Sequence, residues 1–142
     1  MATKSVDDSF RYDLIFVDIF DGSNRTPEGF YSASFLSDIR ACLSPQGVVC
    51  HNLHSGGTDL NQRLDDACDA YAIAFPGGAC RVPALRRGNS VVAASPQPGA
   101  FSSLKELQAA ARQVRKDRGL LFDASGRLHG MSILCASLDS TR

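Results

Sequence analysis

Two acids close the most apolar stretch of the chain. In Tyr12-Asp13-Leu14-Ile15-Phe16-Val17-Asp18-Ile19-Phe20-Asp21 the carboxylates of Asp18 and Asp21 have Asp-x-x-Asp spacing. A carboxylate accepts hydrogen bonds from a cation and can take up its proton, so such a pair at a strand end can orient an amine or act on it as a general base. The same spacing also serves turns and helix caps, and spacing alone does not separate the two uses. A second group closes the next apolar run, His51-Asn52-Leu53-His54. Imidazole nitrogen ligates zinc and other transition metals, yet no third ligand stands at a useful spacing. The two histidines therefore read as structural or substrate-contacting, and no metal site is expected. Asp18 with Asn52 offers the hard oxygen ligands that divalent cations take, the weaker reading of that pair.

Other chemistries lack their motifs. Gly56-Gly57 and Gly77-Gly78 have no G-x-G-x-x-G context, no P-loop is present, and no G-x-S-x-G elbow frames a serine. Cys42, Cys50, Cys68, Cys80 and Cys135 form no C-x-x-C pair and leave one over under any complete pairing, which fits reduced thiols, mostly buried as small hydrophobes.

The elements that must position these residues follow from the hydrophobic pattern. Tyr12 to Phe20 reads as a parallel strand covered on both faces, with Asp21 to Gly29 a loop long enough to be functional. Phe35, Leu36, Ile39 and Leu43 mark one face of a helix entered near Ser32 or Ser34 and ended by Ser44-Pro45-Gln46-Gly47. Val48 to Leu53 is a second buried-type strand. Leu60, Leu64, Ala67 or Cys68, and Tyr71 then keep helical spacing from about Thr58 or Asp59 to a break at Pro76-Gly77-Gly78. Ala79 to Leu85 is a weaker strand that tolerates Pro83 only at an edge or bulge. Arg86 to Asn89 is a turn, and Ser90 to Ala94 a fourth strand antiparallel to the third. Ser103-x-x-Glu106 has capping-box spacing before a helix with Leu104, Leu107, Ala111 and Val114 on one face, ending near Lys116. Basic residues at its C-terminal end complement the helix dipole. The tail beyond Gly119 holds at most a short strand. This is an α/β pattern, with a polar segment 1–10, a main unit 11–95 and a C-terminal extension 96–142.

Composition bounds what such a unit can be. Its 142 residues are 44% hydrophobic and 21% charged, and fifteen Lys and Arg balance fifteen Asp and Glu. Zero net charge argues against a nucleic-acid binder whose affinity rests on phosphate neutralisation. The sequence is −6 as far as Tyr71 and +6 after it, an asymmetry that ordinary solvated helix faces explain. No apolar run is long enough to span a bilayer and the first ten residues contain no apolar signal core, which makes the cytoplasm the expected compartment.

Taken together, Tyr12 to Gly22 and Leu43-Ser-Pro-Gln-Gly-Val-Val-Cys-His-Asn-Leu-His54 resemble the carboxyl-terminal half of spermidine-synthase-like proteins in the class I S-adenosylmethionine-dependent methyltransferase superfamily, over about Arg11 to Ala94. The resemblance implies a partial Rossmann-like methyltransferase sheet, with parallel strands, a terminal antiparallel strand, and helices on both faces. It also implies that Asp18 and Asp21 hold the acceptor amine or other nucleophile and that Asp18 assists its deprotonation, with Asn52 and His54 at the substrate. The aminopropyltransferase branch continues its acids with an Asp-Pro-x-Gly-Pro-like segment, whereas this chain has Asp21-Gly22-Ser23-Asn24-Arg25-Thr26-Pro27, a departure that favours methyl transfer. The family's glycine-rich loop and cofactor-binding acid have no counterpart before Asp13. S-adenosylmethionine or its decarboxylated form is therefore expected only in a longer form, and this truncated chain is expected to be inactive alone, with no residue assigned to a cofactor. The first strand finds at most one neighbour within the chain, so its open edge is expected to take a second copy or a partner chain. A non-catalytic interaction domain using that edge is the rival reading.

Overall fold

The computed structural model describes residues 10–55, 57–84 and 88–135. β1 (Tyr12–Val17) carries apolar side chains on both faces. Val17 and the half-buried Ile15 turn into a core, while Leu14 and Phe16 lie on the opposite face, 50% and 73% exposed. The strand stops at Val17, so Asp18 to Phe20 leave the ladder and begin the loop that holds both candidate acids.

α1 (Ala33–Cys42) starts where the Ser32 hydroxyl accepts the Phe35 amide, as the capping pattern requires, and buries Leu36. A single 3-10 turn, Glu28–Tyr31, precedes it. β2 (Leu43–His54) begins directly after the helix, and Ser44-Pro45-Gln46-Gly47 is not a separate turn. The pairing jumps from Tyr12 opposite Leu43 to Leu14 opposite Val48, so residues 44–47 bulge out of the ladder. Gly47 sits where a Cβ would come within 2.7 Å of the Tyr12 carbonyl oxygen, which is why the bulge can lie so close to β1.

α2 (Thr58–Ala74) buries Leu64, Ala67, Cys68, Tyr71 and Ala72, the face its periodicity marks. β3 (Ala79–Pro83) and β4 (Asn89–Ala94) are antiparallel, as expected; the turn between them lies partly outside the described residues. Pro83 ends its strand beyond the two residues that pair with β5 (Ser132–Ile133), so no ladder bond is lost to it on that side. α3 (Leu104–Arg118) is capped by the Ser103 hydroxyl accepting the Glu106 amide and ends at Gly119 in the left-handed conformation.

The five strands form one mixed sheet in the order β1-β2-β4-β3-β5. β1, β2 and β3 run in one direction and β4 and β5 in the other, so β1 pairs parallel with β2 and the remaining pairs are antiparallel. The reversed strand expected at the end of the sheet is β4. It is the last of the four longer strands in sequence but lies inside the sheet, between β2 and β3.

Helical cover differs from the expectation of both faces. Both crossovers, β1 to β2 through α1 and β2 to β3 through α2, step the same way across the sheet, and right-handed crossovers stepping the same way put their helices on one face. α1 and α2 accordingly pack together with Val49, Leu53, Val92 and Ala94 in a single core, and α3 packs chiefly on the Gly126–Leu128 turn. Among the described residues, nothing covers Leu14 and Phe16 on the opposite face of β1, and Cys50 and Asn52 of β2 are only half-buried.

Candidate functional site

The parallel strands β1 and β2 both end on the side of the sheet where ligands of open α/β folds collect. Asp18 follows β1 directly and Asn52 lies near the end of β2. The Asn52 amide donates to Asp18 Oδ1 at 3.1 Å, and its own carbonyl oxygen accepts the Asn89 amide at 2.8 Å. Asn89 reaches this point because it begins β4, diagonal to Asn52 in the antiparallel register that pairs Asn52 with Val91. The row Asp18, Asn52, Asn89 is thus built from three elements and fixes one carboxylate oxygen of Asp18. The other oxygen has no hydrogen-bond partner among the described residues.

Beneath this row is a groove of about 340 Å³ on the face away from α1 and α2, lined by Phe16, Val17, Asp18, Cys50, Asn52 and Val91. Its floor is apolar and its rim carries the Asp18 carboxylate and the Asn52 amide, a combination that suits an alkyl chain ending in a cationic or hydrogen-bonding group.

The other expected residues are placed differently. Asp21 does not join Asp18. Its Oδ1 accepts the backbone amides of Ser23 at 2.8 Å and Arg25 at 2.9 Å, and those two bonds hold its carboxyl below the usual carboxylate range. This is turn chemistry: Asp21 shapes the loop behind Asp18. His54 lies beyond Asn52 with its ring edge against Phe20, the centroids 6.5 Å apart, beside a small, partly open recess rather than the groove.

His51 points to the helical side of the sheet and is fully buried, with Nδ1 3.1 Å from the Tyr71 hydroxyl. Burial pushes its pKa down to about 4, a displacement that the negative charge of Asp18 offsets only in part. His51 and His54 therefore share no site, and no cluster able to hold a metal ion occurs among the described residues. The cysteines are free; burial raises Cys68 to about 11 and Cys80 to about 12, leaving both as protonated, unreactive thiols at neutral pH.

Sequence reasoning did not find Asn89 or Arg63. Asn89 reads in sequence as part of a turn, and only the β2 to β4 register brings it to Asn52. Arg63, on α2, makes ion pairs with Glu28 at 3.3 Å and Asp59 at 3.5 Å, while Arg25 meets the same Asp59 carboxylate oxygen at 3.5 Å. These contacts tie the 21–31 loop to the first turns of α2. A basic residue on a helix otherwise reads as a solvated face, and nothing in its spacing marked it.

Comparison with solved structures supplies the fold class of this arrangement. The chain is similar to a probable spermidine synthase from Corynebacterium glutamicum, with a TM-score of 0.56 and 23% sequence identity. The fold is spermidine-synthase-like. The match covers 76% of this chain and 40% of that protein, so the chain spans well under half the length of the structure it resembles. No protein-family model matches the sequence, and no curated protein does. No described helix is long and apolar enough to cross a membrane.

Proposed function

We propose that this chain is the acceptor-binding part of a spermidine-synthase-like transferase that uses S-adenosylmethionine or its decarboxylated form in a longer polypeptide, methyl transfer being favoured over aminopropyl transfer. The observation that carries this reading is the Asp18 carboxylate, oriented by Asn52 at the mouth of an apolar groove beyond two parallel strands. An amine there would donate a hydrogen bond to Asp18 and pass its proton to that carboxylate, leaving the lone pair free; a bound sulfonium would supply the carbon to be transferred, its C–S bond breaking to release a neutral thioether. Fixing both reactants supplies most of the acceleration in such a step. Asp21 supports the loop, and Asn52 and Asn89 position Asp18. The loop sequence from Asp21 to Pro27 is the support for methyl transfer.

Titration of the chain with 1,4-diaminobutane, followed by NMR, tests the acceptor site. The side-chain amides of Asn52 and Asn89 should shift with the wild type and not with Asp18→Asn, while S-adenosylmethionine alone should produce no shifts. Diamine shifts unaltered by Asp18→Asn, or tight binding of S-adenosylmethionine by this chain alone, would overturn the proposal. In a polypeptide that also carries the cofactor half, Asp18→Asn should slow transfer by about 10² to 10⁴, the range for loss of a general base.

The edge of β1, unpaired among the described residues, and the exposed Leu14 and Phe16 beside it favour a second reading, a non-catalytic interaction domain. Sedimentation across a hundredfold range of concentration distinguishes it. Association relieved by Phe16→Asp supports that reading, and a strictly monomeric wild type that captures no partner counts against it.

A further inference from the structure

The loop that carries the candidate acids is fastened over the end of β2 around a small, partly open recess, lined by Thr26, Tyr31, Leu53, His54, Arg63 and Leu64. Three polar atoms buried here have no protein hydrogen-bond partner among the described residues: Thr26 Oγ1, His54 Nδ1 and Arg63 Nε. Thr26 is only 6% exposed. Arg63 Nε lies 3.5 Å from Asp59 Oδ2, close enough for charge attraction but not aligned for a hydrogen bond. A buried donor or acceptor left unmatched is costly, and three of them belong to residues that line this one recess, which points to a common partner.

Size decides what that partner is. The space measures about 10 Å³, the room that one water-sized sphere needs and far less than a phosphate or a metabolite would fill. Buried waters make about three hydrogen bonds each, and three groups are present. The donors and acceptors also balance. Arg63 Nε–H can donate to the water oxygen, and His54 Nδ1 and the Thr26 hydroxyl complete the set as its other hydrogen-bonding partners.

We propose that this space is a binding site for a single structural water that joins Thr26 of the loop to His54 of β2 and Arg63 of α2. The water completes the fastening already made on the outside by the Arg25–Asp59 and Arg63–Glu28 ion pairs. Those pairs are exposed, and exposed pairs contribute little individually; the inner bridge is what holds the loop at the level of β2. The inference concerns the fold and does not rest on the proposed transferase activity.

A crystal structure at high resolution should show one ordered water within 3.2 Å of all three atoms, and NMR should show a long-lived water contact to the Thr26 methyl group. Thr26→Val keeps the shape and removes the hydroxyl. It should speed amide exchange across residues 21–31 by roughly five- to 150-fold, the range for one unsatisfied buried group at about 1–3 kcal/mol. Thr26→Ser, which restores the hydroxyl, should leave exchange near wild type. Empty density in a well-ordered wild-type structure would overturn the proposal, as would equal exchange in Thr26→Val and Thr26→Ser. Should Thr26→Val fail to fold, the wild-type density and the Thr26 water contact decide alone.

Discussion

Acid should destabilise this protein through His51 at a higher pH than through Asp21 or Asp123. The ring is fully buried, bonded through Nδ1 to Tyr71, with a second nitrogen that has no partner among the described residues, so charging it places a cation in the core. Its pKa is about 4 in the folded chain against an ordinary 6.5. Below pH 6.5 the unfolded chain takes up a proton that the native state refuses, and stability falls with pH until the native histidine is itself protonated near pH 4. Two and a half pH units at about 1.4 kcal/mol each give a loss of about 3 kcal/mol, a large part of the 5–15 kcal/mol typical of a domain. Asp21 and Asp123, whose pKa values are also lowered, act in a separate window. Their contributions are present above the ordinary 3.8 and are lost only as pH drops through still lower folded values. Urea titrations at half-unit steps from pH 7 to 4 measure the effect, with His51→Gln as the control because it cannot titrate. The wild type should lose about 3 kcal/mol more than His51→Gln across this range. Parallel losses in the two proteins, or an NMR titration of His51 centred near 6.5, would refute the reasoning.

Gly47→Ala forces a Cβ against the Tyr12 carbonyl oxygen and the Leu43 side chain and should cost about 1–3 kcal/mol in urea unfolding, with the slope unchanged. Gly22→Ala, which meets nothing within 4 Å, is the matched control, and an equal midpoint in both variants would show that the bulge gives way freely. Alkylation at neutral pH, read by mass spectrometry, should modify the exposed Cys135 and spare Cys68 and Cys80, whose thiols are both buried and raised in pKa. Labelling of Cys80 at the rate of Cys135 would contradict its burial.

The elements were readable because each is fixed by local chemistry. Ser32 and Ser103 cap the helices they were expected to cap, the Leu64 to Tyr71 face is buried as its spacing requires, and Pro76-Gly77-Gly78 ends α2. The β1 composition likewise matches a strand made for contact on both faces, though the chain supplies helical cover on one. What sequence could not supply is register. The Leu43-Ser-Pro-Gln-Gly47 stretch looks like a turn, and only the jump in pairing with β1 turns it into a bulge. Asp18 and Asp21 look alike at a spacing of three, yet one meets Asn52 and the other closes on its own loop. Their difference depends on where β2 and β4 end in space, which no local pattern records.

The position of β4 sets an order of assembly. Ala94, Ala93, Val92, Val91 and Ser90 each pair on one side with β2 and on the other with β3, so a strand completed at residue 94 zips two that leave the ribosome earlier. During synthesis, the inner border of β2 therefore waits some forty residues for its neighbour, whereas the β1 to β2 ladder can close at once. Release of a nascent chain ending at residue 84 should give a protease-sensitive polypeptide in which His51 keeps Val17 but lacks Val92 and Leu53 lacks Ser90, and extension through Ala94 should restore resistance in a single step.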